Sequence, residues 1–107
     1  MSSKIVFITG ATSGIGAACA HIFASHGYNL ILNARKAVAL EELRLRLQSQ
    51  YNIAAHTVCF DVRDRKTAKE AISNLPPEFA SIDILINNAG LALGIDKEYE
   101  GNEEDYD

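Results

Sequence analysis

This chain of 107 residues predicts an α/β fold built on a doubly wound parallel sheet, on three observations. Short apolar runs alternate with longer amphipathic stretches, the pattern of successive β-α-β units. Apolar residues in those runs are consecutive more than alternating, as in strands covered on both faces. A glycine-rich turn joins the first run to the first helical stretch. Right-handed crossovers then set a half-sheet order of 3-2-1-4, truncated after the fourth strand.

The first strand is expected over Ile5–Thr9. In the helix that follows, Ile15, Ala18, Cys19, Ile22 and Phe23 recur at three- and four-residue steps, and Gly27 stands where a left-handed stop belongs. The second strand is placed at Asn29–Asn33. Its helix carries Leu40, Leu43 and Leu47 on one face, with Glu41, Glu42, Arg44, Arg46 and Gln48 elsewhere. The third strand is placed at Ala54–Phe60. The third helix runs roughly from Arg65 to Leu75, packs Ala68, Ala71, Ile72 and Leu75, and is ended by Pro76-Pro77. The fourth strand is expected over Asp83–Asn87, with Ile84, Leu85 and Ile86 on an unprotected outer border. Residues 1–95 thus form one half-domain. Residues 96–107 read as an acidic tail, the start of an incomplete helix, expected to be disordered in the isolated chain.

Composition narrows the function classes. With 48% hydrophobic and 22% charged residues the chain is built to fold rather than to stay disordered. The formal charge of −4 is a property of the tail: seven acids face Lys97 between Asp96 and Asp107, while the body is close to neutral. No basic stripe offers a footprint for nucleic acid. No apolar run approaches a membrane span and no signal peptide precedes the first strand, so a cytoplasmic protein is expected. Cys19 and Cys59 read as small buried hydrophobes, and His21, His26 and His56 show no ligand spacing, so no metal is expected.

Chemistry is concentrated after the first strand, in Gly10, Ala11, Thr12, Ser13, Gly14, Ile15 and Gly16. A dinucleotide pyrophosphate needs a strand ending in a tight turn, so that a helix begins with its unpaired N–H groups and positive dipole end facing the phosphates. Gly10 takes the turn dihedrals, Gly14 leaves the approach open, and Gly16 lets the helix lie close on the strand.

The second strand ends in Asn33-Ala34-Arg35-Lys36. A chain using NAD usually presents an Asp or Glu here to the ribose hydroxyls, whereas an Arg accepts a 2′-phosphate. No carboxylate is present, and the Arg35 fork with the Lys36 point charge selects NADP. One charge-assisted hydrogen bond contributes roughly 1.5–3 kcal/mol, so Arg35 alone biases binding about ten- to a hundredfold. The bland alternative is a solvated Arg beginning a helix.

The spacing T-G-x-x-x-G-x-G over residues 9–16, together with Asn87-Asn88-Ala89-Gly90 after the fourth apolar run, resembles the short-chain dehydrogenase/reductase family. The run on to Leu91-Ala92-Leu93-Gly94 is similar to its NADP-dependent subgroup acting on small 3-hydroxy acids such as serine. The resemblance implies a Rossmann-type sheet, NADP as cofactor, a small hydroxy or carbonyl substrate, and a homo-oligomeric full-length form. It also implies that Asp61 and the backbone of Val62 hold the adenine edge, and that Asn88 contacts the cofactor. On residues alone, Asp61 is equally a helix N-cap, and Asn87 is as well suited to bracing the sheet as to contact.

The family's acid/base is a Tyr with a Lys four residues on. Positions 32, 55 and 103, four beyond Tyr28, Tyr51 and Tyr99, hold Leu, Ala and Glu, and the chain stops before a partner for Tyr106. No catalytic residue is therefore assigned, and the chain is expected to supply the cofactor-binding half of an NADP-dependent oxidoreductase. The competing readings are a non-catalytic NADP-binding module and a non-functional truncated remnant.

Overall fold

A computed structural model describes residues 4–88. Four strands, β1 (Ile5–Thr9), β2 (Asn29–Ala34), β3 (Ala55–Cys59) and β4 (Ile84–Asn87), alternate with helices α1 (Gly14–Ser25), α2 (Ala37–Gln50) and α3 (Arg65–Ser73). A 3-10 turn over Pro77–Phe79 follows α3. The strands form one sheet of order β3-β2-β1-β4, with every pairing parallel, as expected for a Rossmann-type fold. The tail, with Leu91-Ala92-Leu93-Gly94, lies outside the described residues, as does any partner for the outer edge of β4.

Alternation along the central strands feeds two separate cores. Val6 and Ile8 of β1 join Leu30 and Leu32 of β2 beneath α1 and α2, where Leu40, Leu43 and Leu47 point inward. Phe7 and Ile31 face the other way, against Ala68 of α3, Leu75, Phe79 and Leu85. Both sheet faces are therefore covered, and full burial of one such side chain stabilises by about 1.5–3 kcal/mol. Asp83 ties the sheet's lower end: its carboxylate accepts from the Ile5 amide at 2.8 Å.

The inward face of α1 is not the one its bulkiest residues mark. Gly16, Ala20 and Ala24 are buried, whereas Ile15 and Ile22 are 71% and 58% exposed, and Ala18 is exposed as well. The helix lies so close to the sheet that only the smallest side chains fit between them, and a one-in-four row of Gly and Ala supplies that surface. Gly27 ends the helix with φ 86°, as its position predicts. Cys19 packs half-buried at the rim of this core. Cys59 is exposed rather than buried, because it closes edge strand β3, and its thiol donates to the Arg35 carbonyl at 3.4 Å.

Candidate cofactor site

The site is assembled where β1, β2 and β3 end. After Thr9, the chain turns at Gly10 with φ 60°, a value that L side chains rarely adopt. Ser13 then caps α1: its hydroxyl accepts from the Gly16 amide at 3.1 Å and donates to the Gly10 carbonyl at 2.9 Å. A Cβ on Gly16 would stand 2.1 Å from the Gly10 carbonyl oxygen, so helix and turn touch backbone to backbone. Among the described residues, the amides of Gly14 and Ile15 find no acceptor, as expected in a first helical turn. Gly14 has open space where a side chain would stand.

Two asparagines hold this turn from outside it. Asn33, almost fully buried at the end of β2, donates from Nδ2 to the carbonyls of Val58 and Phe60 at 3.2 and 3.0 Å. Its Oδ1 accepts from the Gly10 amide at 3.4 Å, and its own carbonyl accepts from Ala11 at 2.8 Å. One side chain therefore locks the turn to β2 and β3 together. Asn88 donates from Nδ2 to the Gly10 carbonyl at 3.0 Å and to the Ser13 hydroxyl at 2.8 Å. Asn87 braces the sheet, accepting at 3.1 Å from the buried Thr9 hydroxyl.

A cleft of about 450 Å³ opens beside the turn. Gly10, Thr12 and Ser13 form one wall; Arg35, Lys36, Asp61, Val62 and Arg63 form the other. Ala11 and Gly16 are buried behind the turn, while Gly14, Ile15 and Asn88 lie outside the lining. The expected cofactor residues thus divide into wall, scaffold and helix start, and Asn88 holds the loop through its amide nitrogen.

Charge at the far wall is arranged around Asp61. Its carboxylate accepts from the Arg63 guanidinium at 2.8, 3.1 and 3.2 Å and from the Arg63 amide at 2.9 Å. These bonds, the guanidinium first, pull the Asp61 carboxyl down to about 2. Arg35 stands farther off, its nearest nitrogen 4.0 Å from Asp61, with its side chain 68% exposed. Lys36 is exposed and has no ion pair among the described residues. Asp61 is not a helix cap: Asp64 caps α3, accepting from the Thr67 amide at 3.1 Å.

Sequence reasoning missed Asn33 and Arg63. A lone amide inside the apolar run Leu30-Ile31-Leu32-Asn33-Ala34 was a signal, since a buried polar side chain must find partners. Nothing in the spacing marked Arg63. The histidines are used elsewhere: His21 pairs with the Tyr51 hydroxyl at 3.1 Å, and His56 stacks on Phe79.

A family model described as short chain dehydrogenase matches residues 4–107. The chain is 44% identical over 106 residues to an NADP-dependent 3-hydroxy acid dehydrogenase of Schizosaccharomyces pombe, covering 98% of this chain and 41% of that protein. It is 47% identical over 92 residues to a serine 3-dehydrogenase of Rhizobium radiobacter, covering 86% and 35%. Among solved structures, L-sorbose reductase from Gluconobacter frateurii, complexed with NADPH and L-sorbose, superposes with a TM-score of 0.77 at 34% identity, covering 85% and 35%. This chain therefore spans well under half the length of each.

Proposed function

The chain belongs to the short chain dehydrogenase family, and from that premise we propose that it binds NADP(H) as the cofactor-binding half of an oxidoreductase acting on a small hydroxy or carbonyl compound. A 3-hydroxy acid is the substrate class we favour, since a relative named NADP-dependent 3-hydroxy acid dehydrogenase is matched over 98% of this chain. Residues 1–95 form the NADP-binding unit in this reading. In this reading the full-length form is a cytoplasmic homo-oligomer. Among the described residues no helix is long and apolar enough to cross a membrane.

The observation that carries the proposal is a two-sided cleft. One side is the turn through Gly10, Thr12 and Ser13, which leads directly into a helix start whose Gly14 and Ile15 amides have no acceptor among the described residues, and where a Cβ at position 16 would collide with backbone. The other carries Arg35 and Lys36, with no carboxylate on the end of β2. The cleft fits a dinucleotide phosphate on these terms, because backbone donors and a helix dipole favour pyrophosphate and a guanidinium favours a 2′-phosphate.

In this assignment Gly14 and Ile15 offer their amides to the pyrophosphate, Arg35 and Lys36 bind the 2′-phosphate, and Asp61 with the Val62 backbone orients the adenine. Bound NADP(H) supplies or accepts the hydride. Asn33, Ser13 and Asn88 keep the turn in place; residues 1–107 contribute no assigned proton-transfer group.

The test is turnover by the full-length protein, followed by nicotinamide absorbance, with serine or 3-hydroxypropionate and either nucleotide. Oxidation with NADP at least tenfold better than with NAD is expected. Preference for NAD, or failure to bind either nucleotide, overturns the proposal; tight NADP binding without turnover of any hydroxy acid favours a non-catalytic binding module.

A further inference from the structure

We propose that Arg63 is a specificity-determining residue that acts through Asp61: by occupying that carboxylate it leaves Arg35 free to take the 2′-phosphate. This inference rests on the NADP reading of the site.

The geometry carries it. Among the described residues that line the cleft, Asp61 is the one acid, and it faces two guanidinium groups that line the cleft with it. Arg63 makes three side-chain contacts with it at 2.8–3.2 Å and adds its backbone amide at 2.9 Å. Arg35 reaches no closer than 4.0 Å. A planar fork engaged on both carboxylate oxygens is the strongest pairing that the two side chains can form. The tight turn from Asp61 to Arg63 also makes the pair local, so holding it orders little chain.

Without Arg63, Arg35 is the remaining ion-pair partner of that carboxylate among the described residues. Arg35 would close the gap and commit its donors to Asp61 in place of a ligand phosphate. Any ligand phosphate entering would also meet an uncompensated negative charge a few ångströms away. Both consequences fall on a 2′-phosphate and spare a 2′-hydroxyl. A purely structural role for Arg63 would weaken NADP and NAD alike, so the ratio of their affinities isolates the effect.

The experiment is calorimetric titration of the full-length protein with NADP and with NAD, for the parent, Arg63→Gln, and Arg63→Gln combined with Asp61→Asn. Arg63 is exposed on a turn, so the single variant is expected to melt within a few degrees of the parent. Arg63→Gln should lower the NADP-to-NAD affinity ratio about tenfold, close to 1.4 kcal/mol, and adding Asp61→Asn should return most of that ratio. An unchanged ratio in Arg63→Gln, in a parent that prefers NADP, overturns the inference while leaving the proposed function standing. A lowered ratio that Asp61→Asn does not restore overturns it too, by giving Arg63 a direct phosphate contact. A parent that shows no preference for NADP removes both.

Discussion

The two walls of the cleft are made differently. The wall at Gly10, Thr12 and Ser13 belongs to a turn fixed through its backbone, held by half-buried bonds from Asn33, Ser13 and Asn88. The opposite wall presents exposed side chains, with Arg35 more than two-thirds accessible and Asp61 shared between two arginines. The first cannot change without disturbing the packing of α1 on the sheet; the second can change with little effect on the fold. On the proposed reading, the capacity to bind a dinucleotide is a property of the fold, and the choice between dinucleotides belongs to a few surface charges.

The sharpest way to break this contrast is at Gly16. A Cβ there meets a backbone carbonyl at 2.1 Å, and neither partner is a flexible side-chain tip. Gly16→Val should cost more than the roughly 1–3 kcal/mol typical of overpacking, visible as a lowered urea midpoint, and should abolish binding of both nucleotides. A variant with parental stability would mean that helix and turn can separate freely.

Asn33 comes next. Asn33→Leu strands the carbonyls of Val58 and Phe60 and removes the acceptor for the Gly10 amide. A loss of about 1–3 kcal/mol in a denaturant melt is expected, with NADP and NAD weakened by the same factor. A change in the ratio between them would place Asn33 on the wrong wall.

Arg35 gives the opposite signature. Arg35→Asp should leave the melt nearly unchanged and shift preference from NADP toward NAD by about ten- to a hundredfold, the range of a lost charge-assisted bond. Unaltered preference would remove the argument for NADP.

The smallest effect is on acid stability. Hydrogen bonds from Arg63 lower the Asp61 pKa to about 2, and those from Thr67 lower that of Asp64. A carboxyl depressed in the folded state stabilises above its unfolded pKa, near 4, and loses that contribution as pH falls through the folded value. Melting temperature should thus hold between pH 5 and 7 and decline below about 4. Asp64→Ala should start slightly lower and show a shallower decline, measured by thermal melts across pH.

Legibility of the sequence follows the same division. The turn was readable because glycine spacing after an apolar strand has few other uses, and Gly10 and Gly16 occupy the positions that the spacing demands. Strand order followed from alternation and handedness. The inward face of α1 was misread because apolar periodicity favours the largest residues, Ile15 and Ile22, where close approach to the sheet needs the smallest. Cys59 was misread because an apolar run does not show that its last residue closes an edge strand. At the far wall Arg35 and Lys36 were legible as isolated charges. Their relation to Asp61 was not, since contact between β2 and the turn after β3 is set by sheet register, and Arg63 had no periodic or motif signal at all.

On the proposed reading, one wall holds any dinucleotide while the other reads the 2′-phosphate. Titrating the isotopically labelled full-length protein with NADP and then NAD, and following backbone amide and arginine side-chain resonances, tests it directly. Both nucleotides should move the amides of Gly14 and Ile15 alike, while NADP alone should move the Arg35 guanidinium. Unmoved amides at positions 14 and 15, or an Arg35 signal that responds equally to both ligands, would contradict it.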